Sequence, residues 1–204
     1  MNQEERRKNG CLYDPYYVPD KDREQTGELL ERYNRAYTRA MRKALEPELF
    51  ALLGSCGEHV TITPPFYCTY IGHIFIGDDF YANTQWMVIA NGEVHIGNRV
   101  QIGPRVTVVT PVHPLDSGLR ATGLEKALPV VIGDDVWIAA NVTVNPGVTI
   151  GDRSVIASGA VVTRDIPADS LAAGVPARVI RKIGEEDRQK LLEEYNAYLQ
   201  DPDV

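Results

Sequence analysis

Single aliphatic side chains recur at every sixth position between residues 130 and 165. Six residues keep this spacing without a slip: Ile132, Ile138, Val144, Ile150, Ile156 and Val162. An amphipathic helix would repeat every 3.6 residues and a half-buried strand every 2, so neither explains the pattern. A strict six-residue period is typical of a solenoid of short parallel strands with tight corners, in which one aliphatic side chain per repeat enters the core.

The same period begins well before residue 130. The segments IGDDF, IGNRV, IGPRV and IGDDV are four versions of one corner, and slips of two residues separate the early groups of sixes. Three sixes make one coil, so residues eighteen apart are expected to stack at strand spacing, roughly 4.8 Å. We predict a coil over residues 58–180 with an excursion loop at 111–129. The Gly-Asp and Asn-containing pairs are interpreted as corner residues that tolerate unusual backbone angles.

Helical periodicity flanks the coil on both sides. Residues 21–53 carry apolar positions at helical spacing, with Thr26 near a predicted helix start and Pro47 where a helix would end or restart. Residues 1–57 are therefore predicted to form a helical segment that packs on the coil. Within residues 181–204, a charged helix with one apolar face is predicted from Glu185 to Leu199. Helices at both ends would cap the open edges, and the three segments would form one structural unit.

The amino-acid composition limits the kinds of molecule expected to bind this chain. The chain has 204 residues, 44% hydrophobic and 24% charged, with a net charge of −7. This balance fits one globular domain and argues against nucleic acid or an anionic membrane as the main partner. We see no signal-peptide core and no apolar run long enough to span a membrane, so a cytoplasmic location is expected. Three scattered cysteines do not suggest a disulfide framework.

Two residues stand out chemically. His113 begins the excursion loop between two prolines, and a histidine is the side chain best suited to take a proton near neutral pH. Trp137 directly precedes the core position Ile138, so its ring is predicted to point outward. His95 lies eighteen residues before His113, which leaves open a zinc site on one face, although no third histidine falls in that register.

The segment IGDDVWIAANVTVNPGVTIGDRSVIASGAVVTRDIPADSLAAGVPARVIRKI resembles the hexapeptide-repeat acyltransferases. The N-terminal helical segment, PPFYCTYIGHIFIGDDFYAN and the HPLD loop are similar to the maltose and galactoside O-acetyltransferase group, which includes nodulation-factor acetyltransferases. The resemblance implies a mainly β fold, a left-handed parallel β-helix. It also implies a homotrimer with active sites between subunits, acetyl-CoA as donor, a sugar hydroxyl as acceptor, direct transfer and no metal.

The resemblance assigns expected roles residue by residue. His113 would be the general base and Asn83 would hydrogen-bond near the reacting groups, while the backbone N–H of Ala140 would stabilise the thioester oxygen. The positions expected to bind the donor, from pantetheine arm to phosphates, are Trp137, Ala140, Ser158, Thr163, Arg164, Arg178 and Arg181. The positions expected to contact the acceptor are Asp14, Thr69, Tyr81 and Asn91.

Two acceptor positions depart from the family pattern and leave the acceptor open. Asn91 stands where members that acetylate simple sugars usually carry Asp, and Thr69 stands where Ser is common. An antibiotic O-acetyltransferase is the nearest alternative, although such enzymes usually lack the N-terminal helical segment. A carbonic-anhydrase-like zinc lyase and a non-catalytic scaffold are more distant alternatives.

Overall fold

The computed structural model describes residues 1–20 and 23–200. Helices and strands are numbered separately in chain order. The α-helices are α1 (Gln3–Lys8), α2 (Arg23–Asn34), α3 (Arg39–Ala51), α4 (Ser117–Arg120) and α5 (Glu185–Leu199), and short 3-10 turns span Pro15–Tyr17 and Ile71–His73. Within the described ranges, no helix has both the length and the apolar character needed to cross a membrane.

Short strands stack into three faces of a coil. The first face contains β1 (Ser55–Cys56), β4 (Ile74–Ile76), β7 (Val94–Ile96), β12 (Val130–Ile132) and β15 (Thr149–Ile150). The second contains β2 (Thr61–Ile62), β5 (Tyr81–Ala82), β8 (Gln101–Ile102), β13 (Trp137–Ile138), β16 (Val155–Ile156), β18 (Ser170–Ala173) and β19 (Arg178–Lys182). The third contains β3 (Phe66–Thr69), β6 (Trp86–Ile89), β9 (Thr107–Val109), β14 (Thr143–Val144) and β17 (Val161–Val162).

The aliphatic residues of the six-residue period stack in register inside the coil. On the first face, Ile76 pairs with Ile96, Ile96 with Ile132, and Ile132 with Ile150, all in parallel strands. Each of these side chains is at most 5% exposed. The predicted parallel solenoid is therefore confirmed. Strand pairing begins at Ser55, a few residues before the predicted start at 58.

Glycine at the repeated corner is needed because the next coil approaches closely. A Cβ on Gly97 would lie 2.3 Å from Asp134 Oδ1, and one on Gly133 would lie 2.1 Å from Asp152 Oδ1. These oxygens are in use: Asp134 Oδ1 accepts the Asn98 N–H at 2.8 Å, and Asp152 Oδ1 accepts the Asp134 N–H at 3.0 Å. Each corner carboxylate thus satisfies a backbone donor of the adjacent coil, in space that only glycine leaves free.

The unusual backbone angles at this corner fall two residues after the glycine, or after Pro167 in the last coil. The residues with φ between 55° and 58° are His59, Asp79, Arg99, Asp135, Arg153 and Asp169. The Gly-Asp and Gly-Asn pairs themselves are therefore not the residues with the unusual angle at this corner, although Asn141 has a φ of 59° elsewhere in the coil. Polar residues, aspartate above all, occupy the left-handed region that the turn requires.

These six side chains form an edge ladder of alternating charge. His59 Nδ1 lies 3.0 Å from Asp79 Oδ1, and two bidentate pairs follow further along the coil. Arg99 donates to Asp135 at 2.6 and 2.8 Å, and Arg153 donates to Asp169 at 2.6 and 3.0 Å. The Arg99 guanidinium lowers the pKa of Asp135, and the charge of Arg153 on the adjacent coil adds to this effect.

Helices α2 and α3 pack together over the start of the coil and bury Leu29, Tyr33 and Leu49. Two predicted boundaries are wrong. Thr26 lies inside α2, which begins at Arg23, and Pro47 lies inside α3 rather than at its end. Proline removes one backbone hydrogen bond at a cost of about 3 kcal/mol, which the tertiary packing of α3 outweighs.

Residues 111–129 leave the coil as predicted and form a hairpin. Strand β10 (Pro111–Val112) pairs antiparallel with β11 (Lys126–Ala127), and α4 lies between them. An isolated antiparallel bridge between Tyr13 and Glu125 ties the N-terminal segment to this hairpin. Leu115, at the outer end of the hairpin, is 96% exposed.

Helix α1 lies within the predicted N-terminal helical segment, although no helix was placed at these residues, and it covers the coil near this hairpin. Its buried Arg7 donates from Nη1 to the backbone oxygen of Asn91 at 2.7 Å and from Nε to Glu4 at 2.9 Å. Arg7 lowers the pKa of Glu4 to about 2. The N-terminal segment is therefore fastened to the corner that contains Asn91.

Helix α5 has the predicted bounds, but its apolar side chains are not buried on the coil. Leu191, Tyr195 and Leu199 are all exposed. In the single chain this apolar face is therefore open to solvent, and the capping of the coil by this helix stays a prediction. A bidentate ion pair between Arg181 and Asp187 links the helix to β19.

We predict that Gly133→Ala destabilises the protein by about 1–3 kcal/mol, because the new Cβ would overlap Asp152 Oδ1 and displace its hydrogen bond. The matched control is Gly27→Ala within α2, where no described atom outside the neighbouring residues and the local helix backbone lies within 4 Å of the new Cβ. That change should stabilise the helix by about 0.5–1 kcal/mol. Thermal unfolding of both variants measures the difference, and equal effects of the same sign would contradict the close-approach explanation.

Candidate active site

The predicted site residues fall into two groups at different corners of the coil. Asn83 follows β5, at the corner between the second and third faces. His113 follows β10, beyond the far end of the third face. Strands of the third face have three or four residues in the coils concerned, or roughly 10–13 Å of extended chain. Within one chain, the two predicted catalytic residues are therefore separated by the width of one face of the coil.

His113 lies beside a buried carboxylate. Its Nε2 is 3.7 Å from Glu125 Oε2, and its side chain is 56% exposed, against 6% for Glu125. Glu125 Oε1 accepts hydrogen bonds from the Tyr13 hydroxyl and from Asn91 Nδ2, the latter at 2.7 Å. Burial, with the adjacent Glu125 carboxylate, raises the pKa of Tyr13. Tyr13 therefore stays protonated and serves as a donor to Glu125.

A polar cavity of about 450 Å³ lies between α2 and this corner. Its lining is Asp20, Arg23, Thr26, Gly27, Leu30, Cys68, Thr69, Tyr70 and Asn91. Thr69 Oγ1 accepts the Ala90 N–H at 3.0 Å and lies 3.5 Å from Asn91 Oδ1. In the described part of the chain, the buried Thr26 hydroxyl has no hydrogen-bond partner. Two of the four predicted acceptor residues, Thr69 and Asn91, thus line one cavity.

The other two predicted acceptor residues lie elsewhere. Asp14 directly follows Tyr13, and its Oδ1 accepts the Tyr16 N–H at 3.0 Å, which starts the first 3-10 turn. Tyr81 is on the second face with Asn83. Asp14 therefore lies near the His113 corner through its neighbour Tyr13, and Tyr81 shares a groove with Asn83 and Trp137.

An open groove of about 370 Å³ runs along the second face. Its lining is Tyr81, Asn83, Gln101, Ile102, Gly103, Pro104, Trp137, Ala139, Ala140 and Ser158. Trp137 points outward as predicted and is 51% exposed. The N–H groups of Ala139 and Asn141 bond to other coils, whereas the Ala140 N–H meets no acceptor within the described residues. The groove therefore combines an aromatic wall with an available backbone donor.

The remaining predicted donor residues lie toward the C-terminal end of the coil. Thr163, Arg164 and Arg178 are exposed, and Arg178 Nη1 donates to the backbone oxygen of Ala177 at 2.8 Å. Arg181 is in register with Leu171, which continues the line of strands from Trp137 through Val155. Three strand spacings put Arg181 roughly 14 Å from Trp137. Its guanidinium is engaged with Asp187.

Sequence reasoning missed Glu125, Tyr13 and Gln101. Glu125 lies within a polar loop, and its partner Tyr13 is 112 residues away, so neither period nor motif marks the pair. Gln101 offered a usable signal, because it directly precedes the core residue Ile102, as Trp137 precedes Ile138.

The stacking of His95 on His113, considered for a zinc site, does not occur. His95 lies on β7 in register with Phe75 and Val131, and its ring stacks on Phe75. The hairpin at 111–129 removes His113 from the eighteen-residue register. Among the described residues, no three His, Cys, Asp or Glu side chains are grouped as metal ligands would be.

Comparison with known proteins agrees with this architecture. Residues 129–164 match the family model described as bacterial transferase hexapeptide (six repeats). The fold and this match together define a hexapeptide-repeat transferase with a left-handed parallel β-helix.

Similar proteins identify the group within this class of transferases. The galactoside O-acetyltransferase of Escherichia coli is 44% identical over 154 residues, covering 76% of this chain and 74% of the relative. A galactoside acetyltransferase solved with coenzyme A superposes with a TM-score of 0.86 at 37% identity, covering 92% and 94% of the two chains. A maltose O-acetyltransferase from Clostridium difficile gives 0.83 at 36% identity, covering 91% and 99%. The chain belongs to the hexapeptide-repeat acyltransferases, in the group of galactoside and maltose O-acetyltransferases.

Proposed function

We propose that the protein transfers an acetyl group from acetyl-CoA to a hydroxyl of a sugar or glycoside, with His113 as general base. The observation that carries the proposal is the His113 corner. There, a half-exposed imidazole lies next to a buried carboxylate, and the partner of that carboxylate, Asn91, lines a polar cavity. A cavity with hydroxyl, amide and charged side chains suits a polyhydroxylated acceptor.

The groove on the second face is the proposed donor site. Trp137 offers an apolar wall for a pantetheine arm, and the Ala140 N–H is available to a carbonyl oxygen. Ser158 lines the same groove, while Thr163, Arg164, Arg178 and Arg181 extend toward the end where the phosphates would lie. The solved relative with bound coenzyme A supports a donor of this kind.

The proposed reaction needs one proton carrier and one oxyanion donor. His113 accepts the proton of the acceptor hydroxyl as its oxygen bonds to the thioester carbon. The Ala140 N–H stabilises the negative charge on the thioester oxygen, and Asn83 lies in the same groove to orient the reacting groups. The carbon–sulfur bond then breaks, and the proton on His113 passes to the leaving thiolate, which gives CoA and the acetyl ester.

The transfer is proposed to be direct, without an acetyl-enzyme. Burial raises the pKa of the Cys68 thiol to about 12, which keeps the sulfur protonated and a poor nucleophile near neutral pH. Burial likewise raises the pKa of Cys56. Cysteine nucleophiles at these positions are therefore disfavoured.

The two half-sites support a homotrimer with shared active sites. His113 and Asn83 lie at different corners of one chain. A second copy of the chain is therefore needed to place His113, the proposed base, beside the groove that contains Asn83. Each chain also exposes apolar groups on the outer surface of its faces and hairpin: Tyr67, Met87, Trp137 and Leu115. A neighbouring subunit would cover such groups.

The first test is an acceptor screen. With acetyl-CoA as donor, thiol release should depend on an added sugar or glycoside, because the cavity presents polar groups. Aminosugars and antibiotics belong in the same screen. Thiol release with antibiotics but with none of the sugars would instead favour a xenobiotic acetyltransferase. Thiol release with no acceptor at all would contradict the proposal.

The general base is tested by His113→Ala. We expect kcat to fall roughly 10²–10⁴-fold, because the acceptor hydroxyl loses its proton acceptor. The KM for acetyl-CoA should change little, since the base faces the acceptor hydroxyl. The control is His59→Asn, which alters a histidine of the edge ladder and should leave kcat unchanged. Near wild-type turnover of His113→Ala would assign the proton to another group.

Shared sites are tested by subunit complementation. His113→Ala and Asn83→Ala subunits are each expected to be inactive alone. Unfolding and reassembling them together in equal amounts should restore about a quarter of wild-type activity, because a site that takes His113 from one subunit and Asn83 from the next is intact with that probability. Light scattering measures the trimer. An active monomer, or no recovery in mixed trimers, would overturn the shared-site arrangement.

A further inference from the structure

The Glu125 carboxylate takes no part in the proposed proton transfer, yet three separate segments converge on it. Tyr13 comes from the N-terminal segment, Asn91 from a coil corner and His113 from the start of the hairpin. Glu125 is only 4% exposed. Burying a carboxylate is costly unless hydrogen bonds and charge compensate for lost water, so this arrangement needs an explanation.

The two carboxylate oxygens face different groups. Oε1 accepts from the Tyr13 hydroxyl and from Asn91 Nδ2. Oε2 lies 3.7 Å from His113 Nε2, a distance that is too long for a hydrogen bond but within the range of an ion pair. The backbones of Tyr13 and Glu125 also bond to each other at 2.9 and 3.0 Å. The carboxylate is thus fixed on one side and faces the imidazole on the other.

We propose that Glu125 is a positioning residue for His113, and that Asn91 influences the reaction through Glu125. The inference rests on the proposed function and adds a residue to its site. When His113 accepts a proton it becomes an imidazolium, and a fixed negative charge nearby stabilises that form and holds the ring. Asn91 contributes the N–H donor that keeps Glu125 in place, and its oxygen remains on the cavity side near Thr69.

The amide at residue 91 is essential to this arrangement. An aspartate there would put a second carboxylate where Asn91 Nδ2 now lies, 2.7 Å from Glu125 Oε1. Two carboxylates at such a distance cannot both remain ionised, so one would be protonated or displaced. Residue 91 and Glu125 therefore act as a pair.

The kinetic test is a double-mutant cycle with Glu125→Gln and Asn91→Ala. Glu125→Gln should lower kcat roughly 10- to 100-fold, because the ring loses its orientation, with the KM for acetyl-CoA unchanged within twofold. Asn91→Ala should lower kcat less. In the Glu125→Gln background it should have no further effect on kcat, because the carboxylate through which Asn91 acts has already been removed. Tyr13→Phe removes the other donor to Oε1 and should also lower kcat.

The stability test uses Asn91→Asp. This single change should lower the melting temperature, and Asn91→Asp combined with Glu125→Gln should restore it, because a glutamine amide can donate to the new carboxylate. The control for both tests is Asp79→Asn, which removes a carboxylate 3.0 Å from His59 and should leave kcat unchanged.

An activity-free readout separates this proposal from the proposed function. Diethyl pyrocarbonate modifies imidazole nitrogens, so the modification of His113, followed by peptide mass spectrometry, should become faster in Glu125→Gln, where the ring no longer faces a fixed carboxylate. Asp79→Asn should alter the modification rate of His59, which Asp79 contacts, and not that of His113. If no sugar is acetylated but these differences appear, the proposed function fails and the pairing of Glu125 with His113 stands.

Three results would overturn the proposal. Additive effects of Asn91→Ala and Glu125→Gln on kcat would mean that Asn91 acts independently. An Asn91→Asp variant with unchanged kcat and stability but altered ratios among sugars would make residue 91 a direct acceptor contact. Unchanged kcat and unchanged His113 modification in Glu125→Gln would reduce Glu125 to a structural link.

Discussion

The close approach of successive coils at the glycine corner is the constraint on which the rest of this structure depends. A carboxylate or amide oxygen of one coil occupies the space that a Cβ would fill on the next, and there it accepts a backbone N–H. This contact sets the spacing and register of the three faces. Register in turn determines that Trp137 points into the groove and that the hairpin with His113 leaves the coil at the corner of the third face.

The coil was predictable because its signal is local and repeated. A six-residue period specifies inward and outward positions, so the burial of Ile138 and the exposure of Trp137 follow directly. Sequence reasoning failed where tertiary packing competes with local preference. Pro47 lies inside α3 because packing on the coil outweighs the lost hydrogen bond. The corner glycine was attributed to an unusual backbone angle, whereas its cause is the close approach of the next coil. A dipeptide in the sequence gives no information about that neighbouring coil.

The candidate active site was predictable only in part, for a related reason. His113, Asn83 and Trp137 stand in recognisable motifs and could be named in advance. Glu125 could not, because its importance comes from Tyr13 and Asn91, which are distant in sequence and meet only in the folded chain. The two half-sites at different corners also have no counterpart in a linear pattern. A sequence motif therefore identifies a candidate reactive group, whereas only the fold shows which residues surround it.

The edge ladder of alternating charge bears on how a coil of this kind can grow or shrink over evolution. His59, Asp79, Arg99, Asp135, Arg153 and Asp169 occupy the same position in successive coils, basic and acidic in turn. Duplication of one coil, or loss of one internal coil, would bring two like charges together at the new junction, whereas a change of two coils would preserve the order. This edge therefore favours even-numbered changes in repeat number and opposes recombination that shifts the chain by a single coil.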